Sequence, residues 1–136
     1  MSFLIDTDLL SLLERRRVPA KLAAWVRAND GDIFLSTVSL AEIQQGINSA
    51  PATHQAALVA WLTAVRLDFA AATEPLAEPV LVRWKELLRD LKARNRTMTC
   101  EDSLIAATAL HHGHTLATHN TRHFSPAGVA LVDPLT

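Results

Sequence analysis

The feature that most constrains the fold of this chain is a series of short apolar runs, each followed by polar residues and then a helical stretch. The first run, Phe3-Leu4-Ile5, ends at Asp6, and leucines at helical spacing follow it. A strand that is buried on both faces of a parallel sheet is a continuous apolar run of this kind. Because such strands alternate with helices, the sequence predicts an α/β fold with a mainly parallel sheet and helices on both faces.

The same pattern places four to five short strands along the chain. They are predicted at residues 3–5, 33–36, 67–73, 115–118 and 129–132. The third of these contains several alanines, which are depleted in strands. Helices are predicted at about 9–15, 20–28, 38–47, 51–66, 79–94 and 99–112, with a loop from 119 to 124. No linker, repeat or low-complexity segment interrupts the pattern, so residues 1–136 are predicted to form a single domain.

Composition excludes several classes of protein. Hydrophobic residues make up 49% of the chain, which is enough to bury a core at this length. No basic stretch precedes an apolar run at the N-terminus and no apolar run approaches the roughly 18 residues of a membrane span, so we expect neither a signal peptide nor a membrane anchor. Cys100 is the only cysteine, so a cytoplasmic location is expected. We assign it no catalytic role, because no neighbouring side chain would activate its thiol.

The charge of the chain is nearly balanced, at −1 with neutral histidines. This excludes a protein that coats nucleic acid by charge alone. Either of two basic clusters could follow a phosphate backbone beside an acidic centre, and either could equally be a solvated helix face. The clusters are Arg15, Arg16, Arg17 and Lys21, and Lys85, Arg89, Lys92, Arg94 and Arg96.

A group of histidines near the C-terminal end of the chain does not have the spacing of a zinc site. Adjacent residues on a helix, such as His111 and His112, point about 100° apart and cannot both face one ion. His114, His119 and His123 are divided between a turn and a loop, without a recognisable zinc-binding pattern. We therefore predict that these histidines are exposed at a helix end and in loops.

Four acidic or amide residues lie where the predicted strands give way to turns or helices: Asp6, Glu42, Asp102 and Asn120. Each also has an ordinary structural explanation. Asp6 could cap the next helix, and Asn120 could be a turn residue. Two segments have the spacing of a helix capping box, namely Ser39-Leu40-Ala41-Glu42 and Thr99-Cys100-Glu101-Asp102.

These residues gain a common explanation if they converge. The carboxyl ends of parallel strands meet at one edge of an α/β sheet, which is where ligands bind. Carboxylate oxygens are the hard ligands that Mg²⁺ or Mn²⁺ requires, and carboxylates brought close together repel each other unless a cation neutralises them. Convergence would therefore indicate a metal-dependent hydrolase of phosphate esters.

Four segments, taken together and in order, resemble a known family. They are Leu4-Ile5-Asp6-Thr7-Asp8, Ser36-Thr37-Val38-Ser39-Leu40-Ala41-Glu42-Ile43, Asp102-Ser103-Leu104-Ile105-Ala106-Ala107-Thr108-Ala109 and Leu116-Ala117-Thr118-His119-Asn120-Thr121-Arg122-His123-Phe124. The chain resembles the PIN-domain ribonucleases along its whole length, and among them the VapC-type toxins of bacterial type II toxin–antitoxin modules. The resemblance implies a PIN-like three-layer α/β/α sandwich with a central, mainly parallel sheet of four to five short strands.

The resemblance also implies roles for particular residues. It makes Asp6, Glu42 and Asp102 the acidic metal-site residues, with Asp6 and Asp102 as direct ligands. Asn120 falls where some members carry a fourth acid and many toxins carry asparagine. Because an amide contributes no negative charge, one well-held ion is favoured over two. Thr7 and Thr118 match small hydroxyl positions that support the site, while the roles of Asp8 and Glu101 stay open.

The activity implied by the resemblance is that of an Mg²⁺-dependent endoribonuclease, with Mn²⁺ able to substitute, which cuts RNA phosphodiester bonds without a covalent protein intermediate. It further implies a cognate VapB-type antitoxin, whose C-terminal segment covers the acidic groove, and a homodimer. Trp25, Trp61 and Trp84 are candidates for these interfaces, although a tryptophan on an apolar helical face is also ordinary core.

Three alternatives stand beside this interpretation. A phosphorylation receiver domain needs a lysine near the end of a late strand, whereas the last lysine, Lys92, precedes the final two predicted strands. A catalytically decayed PIN-like module that only binds proteins would have lost its site, and the presence of Asp6, Glu42 and Asp102 weighs against this. A metal-dependent nuclease not restricted to RNA fits the same residues.

Overall fold

The structure, a computed structural model that describes residues 1–136, contains five strands and seven helices. The strands are β1 (Phe3–Ile5), β2 (Ile33–Ser36), β3 (Thr73–Glu74), β4 (Thr115–Ala117) and β5 (Leu131–Val132). The helices are α1 (Thr7–Leu12), α2 (Ala20–Ala28), α3 (Thr37–Asn48), α4 (Ala52–Asp68), α5 (Glu78–Ala93), α6 (Cys100–His112) and α7 (Thr121–Phe124). None of these helices combines the length and apolarity that crossing a membrane requires.

All five strands form one sheet in the order β3-β2-β1-β4-β5, and every neighbouring pair is parallel. In the central strand β1, Phe3 pairs with Ile33 on one side and with Thr115 on the other. Because the strands run in the same direction, the chain leaves β1, β2 and β4 at the same edge of the sheet. The predicted α/β fold with a mainly parallel sheet is therefore confirmed.

Helices cover both faces of the sheet because successive side chains of β1 point in opposite directions. Leu4 belongs to a buried cluster that includes residues of α5 and α6. Its neighbour Ile5 belongs to a second buried cluster, which includes residues of α1 to α4. Both side chains are fully buried, so β1 is the strand around which the two halves of the core assemble.

Two predicted elements are wrong in detail. The strand expected at 67–73 is mostly helical: α4 continues to Asp68, the alanines 70–72 form a 3₁₀ turn, and only Thr73–Glu74 pairs with β2. Alanine has a high helix propensity and a low strand propensity, so this segment is helical and only its last two residues join the sheet. The loop expected at 119–124 contains the short helix α7, which is anchored by the buried ring of Phe124.

Candidate metal centre

Asp6 is the first residue after β1 and the cap of α1. Its Oδ1 accepts a hydrogen bond from the backbone amide of Leu9 at 2.9 Å, and its Oδ2 accepts one from the Thr118 hydroxyl. Only 3% of Asp6 is exposed, and this burial raises the pKa of its carboxyl from 3.8 to about 6 against the opposing effect of the two hydrogen bonds. The capping role predicted as an alternative is therefore real, and it leaves Asp6 facing the sheet edge.

Thr118 connects Asp6 to the other side of the site. It follows β4 directly and is fully buried. While its hydroxyl donates to Asp6, it accepts a hydrogen bond from the backbone amide of Asn120 at 2.9 Å. The side chain of Asn120 does not cap α7, and its Nδ2 donates instead to Oδ2 of Asp8 at 2.9 Å. Two side-chain hydrogen bonds thus connect the residues that follow β4 with those that follow β1: one between Thr118 and Asp6, and one between Asn120 and Asp8.

Glu42 is brought to the site by α3, and the capping box predicted for it is not formed. The helix begins earlier, at Thr37, with the hydroxyl of Ser36 accepting from the amide of Val38 at 3.0 Å. The Oε1 atom of Glu42 instead accepts a hydrogen bond from the Thr7 hydroxyl at 2.7 Å. Thr7 therefore holds a carboxylate that belongs to another element of the fold.

Asp102 lies in the first turn of α6, which Thr99 caps. The Thr99 hydroxyl accepts from the Asp102 amide at 3.1 Å, so this half of the predicted capping box is present. The Asp102 carboxyl is half-buried, and its pKa is raised mainly by burial and further by the charges of Asp8 and Glu101. Hydrogen bonding by Thr99 and the charge of His123 oppose that rise.

One pocket of about 100 Å³ gathers these side chains at the carboxyl edge of the sheet. Thr118 lies behind Asp6 and does not line it. The lining residues are Asp6, Thr7, Asp8, Glu42, Asp102, Ile105, Asn120, His123 and Phe124. The structure thus brings together all four residues singled out in the sequence, although they are spread over more than a hundred positions.

The pocket carries several acids and no lysine or arginine. Burial is the main reason why the pKa of Glu42 is raised, and the nearby charges of Glu101, Asp102 and Asp8 add to it. The pKa values of Asp6 and Asp102 rise for the same two reasons. Facing carboxylates with raised pKa values are stabilised by a cation that enters between them.

The donor atoms fit a hard divalent cation, although no three His, Cys, Asp or Glu side chains are arranged as a complete ligand set. A carboxylate has about four lone-pair positions, and Asp6 uses two of them for Leu9 and Thr118. Mg²⁺ is commonly held by one or two carboxylates and several waters, so a site of few direct ligands suits it. The pocket lining contains no cysteine and only one histidine, His123, so it lacks the sulfur and nitrogen ligands typical of a zinc site.

A model of the PIN domain matches residues 3–129. The chain belongs to the PIN domain family. It is 31% identical over 134 residues to plasmid stability protein StbB of Pseudomonas syringae pv. tomato, with 96% of each chain covered. It is 28% identical over 125 residues to ribonuclease VapC1 of Rickettsia felis, covering 91% of this chain and 89% of the relative.

A solved relative has the same fold along almost the whole chain. The crystal structure of FitAcB from Neisseria gonorrhoeae superposes with a TM-score of 0.89 at 28% identity, and 97% of each chain is covered. This agreement confirms the PIN-like three-layer α/β/α sandwich with a central parallel sheet that the sequence predicted.

His123 is a pocket residue of this PIN domain that sequence reasoning missed. It was predicted to be an ordinary exposed loop histidine, and it is exposed, but it lies in α7 and lines the acidic pocket. The signal that could have identified it is its spacing from Asn120, because three residues make one turn of a short helix. His123 is the only basic side chain in the lining of the pocket. Its charge lowers the pKa of Asp102.

His114 contradicts the prediction that the histidines are exposed. Its ring is buried, stacks on Phe34 with centroids 4.5 Å apart, and places Nδ1 2.7 Å from the Ser2 hydroxyl. Its Nε2 lies 3.5 Å from Oε1 of Glu74 but outside hydrogen-bond geometry. His114 directly precedes β4, and its side chain points into the protein. The local sequence pattern did not indicate this burial.

The three tryptophans differ in how they are used. Trp25 packs edge-on against Phe3, with centroids 5.1 Å apart, and Nε1 of Trp84 donates to the Ser103 hydroxyl at 2.8 Å. All three are half-buried and pack against the core. Trp61 differs because, with Leu58, it forms part of a groove of about 220 Å³ beside the acidic pocket. The groove is lined by Thr7, Ser11, Glu14, Glu42, Ile43, Gly46, Ile47, Leu58 and Trp61.

Proposed function

We propose that this PIN domain is a metal-dependent endoribonuclease that acts as the toxin of a type II toxin–antitoxin module. The observation that carries the proposal is the convergence of Asp6, Glu42 and Asp102 in one pocket, where burial and the charges of neighbouring acids raise the pKa of each carboxyl. The names of two relatives support the activity and the biological role: ribonuclease VapC1 of Rickettsia felis and toxin FitB of Neisseria gonorrhoeae.

The cation we propose for this pocket is Mg²⁺, with Mn²⁺ able to replace it. Asp6 and Asp102 would bind it directly, and Glu42 would reach it through water, because the hydrogen bond from Thr7 holds the Glu42 carboxylate to one side. The chemistry that such a cation supplies is polarisation of the scissile phosphate and stabilisation of charge on the leaving oxygen. Asn120 adds no charge to the pocket, which favours a single ion.

The side chains of the protein would orient the reaction. Thr118 fixes the Asp6 carboxylate through Oδ2, and Thr7 fixes that of Glu42 through Oε1. The second oxygen of Glu42 is then available to accept a hydrogen bond from the attacking water. A carboxylate with a raised pKa is a better base than an ordinary one, so Glu42 is suited to take the proton.

The proposed partner is a small antitoxin of the VapB type, and the proposed assembly contains a toxin homodimer. The groove formed by Leu58 and Trp61 supports the first part, because it shares Thr7 and Glu42 with the acidic pocket. An apolar partner segment seated in it would lie against the site and could cover it. The solved relatives include FitAB bound to a DNA fragment and a toxin–antitoxin complex from Klebsiella pneumoniae.

The activity is tested by incubating the purified protein with total cellular RNA in Mg²⁺ and mapping the 5′ ends of the products. We expect internal cuts in RNA, no reaction in EDTA, and recovery when Mn²⁺ is added. A matched incubation with single-stranded DNA tests whether the nuclease is restricted to RNA. Cleavage that persists in EDTA, or that only Zn²⁺ restores, would overturn the proposed metal site.

A further inference from the structure

A groove leads away from the acidic pocket along the connection between α5 and α6. Asp102 and His123 line both the acidic pocket and a second depression of about 390 Å³. Thr97 and Met98 line that second depression and a third, of about 310 Å³. Since each depression shares walls with the next, the three form one path over the surface, here called the α5–α6 groove.

The far end of the α5–α6 groove is basic. Lys92 and Arg96 line it, both are exposed, and neither takes part in an ion pair. Two other members of the same basic cluster are occupied. Arg94 pairs with Asp90 at 2.7 Å and also donates to the carbonyl of Pro126. The ammonium group of Lys85 lies 4.9 Å from the ring centroid of Trp84. The structure thus leaves Lys92 and Arg96 available for an external anion.

The backbone fixes the two basic residues on the same depression. Asn95 has a positive φ of 53°, a conformation that ends α5 and reverses the chain. The amide of Arg96 donates to the carbonyl of Leu91 at 2.8 Å, and that of Asn95 donates to the carbonyl of Lys92 at 3.1 Å. Arg96 is therefore folded back over the last turn of the helix that carries Lys92.

The middle of the α5–α6 groove is lined by uncharged residues that can donate hydrogen bonds to phosphate oxygens. Thr97 and Thr99, which carry hydroxyl groups, line it, and the backbone amides of Thr97 and Met98 donate to no backbone carbonyl. Proteins hold nucleic-acid phosphates with lysine, arginine, hydroxyl and backbone amide groups together. At the other end, His123 stands between this lining and the acids.

We propose that the RNA strand runs from the acidic pocket past His123 and along the α5–α6 groove, with two of its phosphates held by Lys92 and Arg96. This inference rests on the proposed nuclease function and adds the path of the substrate. An acidic pocket by itself repels a polyanion, so binding requires positive charge at a neighbouring place. An acidic protein segment would meet the same charge, but RNA is favoured because the groove opens directly into the site where a phosphate must react.

The other basic cluster provides a matched control. Arg16 lies between α1 and α2, and Lys21 lies in the first turn of α2; both are exposed, and neither lines any of the three depressions. The doubly substituted protein Arg16→Gln/Lys21→Gln loses the same charge as Lys92→Gln/Arg96→Gln. All four side chains are exposed, so both variants are expected to fold, and circular dichroism checks this.

The experiment measures the dissociation constant of a single-stranded RNA of roughly ten nucleotides over a series of salt concentrations in EDTA, where no cleavage occurs. Loss of two phosphate contacts should reduce the slope of log Kd against log salt by about 1.4, at about 0.7 for each contact, and weaken binding about 10-fold. We expect this for Lys92→Gln/Arg96→Gln and a change of less than about twofold for Arg16→Gln/Lys21→Gln. Photocrosslinks from 4-thiouridine should fall within residues 92–99.

Equal effects of both pairs, or a larger effect of the control pair, would overturn the path. So would a polyglutamate peptide whose binding depends on Lys92 and Arg96 while RNA binding does not, since the groove would then serve an acidic protein. If the unaltered protein cuts RNA but the groove variant binds it normally, only the path fails. If the unaltered protein neither cuts nor binds RNA, the proposed function fails with it.

Discussion

Two regions of this molecule hold partly buried carboxylates, and they treat negative charge in opposite ways. In the acidic pocket, Asp6, Glu42 and Asp102 face one another without a lysine or arginine. In the second region, here called the Glu74 cluster, Nε2 of His112 lies 2.5 Å from Oε2 of Glu74, and Nε2 of His114 lies 3.5 Å from Oε1. Two imidazoles of the chain thus lie beside Glu74, whereas the hydrogen bonds to Asp6 and Glu42 come from neutral threonine hydroxyls and a backbone amide. The pocket acids have no lysine or arginine to offset their charge, so a cation from outside the chain would stabilise them.

This contrast separates a structural use of charge from a functional one. A carboxylate beside imidazoles of the same chain can have its hydrogen-bonding needs met within the protein, without a ligand. Carboxylates that raise each other's pKa cost stability when all are ionised, and a fold keeps them together at a site where a cation or substrate compensates for that cost. The difference between the two regions predicts opposite responses to pH.

The largest expected effect on stability comes from Asp6. Its pKa is higher in the folded than in the unfolded protein, so the stability it contributes is present below about pH 3.8 and is lost as the pH rises through about 6. A rise from 3.8 to about 6 corresponds to about 3 kcal/mol. Urea unfolding in EDTA should show this loss, and a parallel unfolding series in Mn²⁺ without EDTA should show less of it above pH 6.

The control for this experiment is Asp6→Asn, which cannot ionise and should lose that part of the pH dependence. Glu74→Gln changes a carboxylate to an amide in the Glu74 cluster and should retain it. If Asp6→Asn keeps the same pH profile as the unaltered protein, burial of the Asp6 charge is not the source of the effect.

The next largest effect is expected from His114→Ala. The substitution removes a buried ring, its contact with Phe34 and its hydrogen bond with Ser2, and should lower the free energy of unfolding by about 2 kcal/mol. Burial lowers the pKa of His114, so its contribution is present above about pH 6.5 and is lost as the pH falls below that value. Urea denaturation at two pH values checks both points.

RNA cleavage by the folded fraction of His114→Ala should be unchanged, because this residue does not line the acidic pocket. A variant that keeps its stability but loses cleavage would show that the Glu74 cluster takes part in function, and the contrast between the two regions would fail.

A smaller effect is expected from Thr118→Val, which keeps the shape of the side chain and removes its hydroxyl. Asp6 then loses a hydrogen bond to Oδ2, and the amide of Asn120 loses its acceptor. Groups that orient metal ligands from behind typically contribute 10- to 100-fold, so cleavage should fall by about 10-fold. Thr118→Ser retains the hydroxyl and should restore most of the activity. Equal losses in both variants would assign the effect to packing.

The sequence predicted those parts of the molecule that depend on local pattern. The apolar run before Asp6 identified β1. Because Asp6 directly follows this strand, its location at the carboxyl edge of the sheet could also be predicted. The capping box considered as an alternative for Glu42 is not formed, because Ser36 caps the helix earlier and the Glu42 carboxylate accepts a hydrogen bond from Thr7. That partner lies 35 residues away in the chain, so no local spacing could indicate it.

The histidines show the same limit. His114 and His123 both look like turn or loop residues, yet one is buried against Phe34 and the other lines the acidic pocket. Their surroundings are created by strands and helices distant in sequence, which local propensity does not describe. The family resemblance identified the pocket acids together, but it did not assign a role to either histidine.

We propose that the nuclease activity depends on the acidic pocket in particular, and not on every partly buried carboxylate of the protein. The most direct measurement compares RNA cleavage in Mg²⁺ by Asp102→Asn and by Glu74→Gln, two variants that each replace a carboxylate with an amide. We predict that Asp102→Asn lowers the rate at least 100-fold while staying folded, and that Glu74→Gln cuts at the rate of the unaltered protein. Full activity of Asp102→Asn, or equal losses in the two folded variants, would contradict the account.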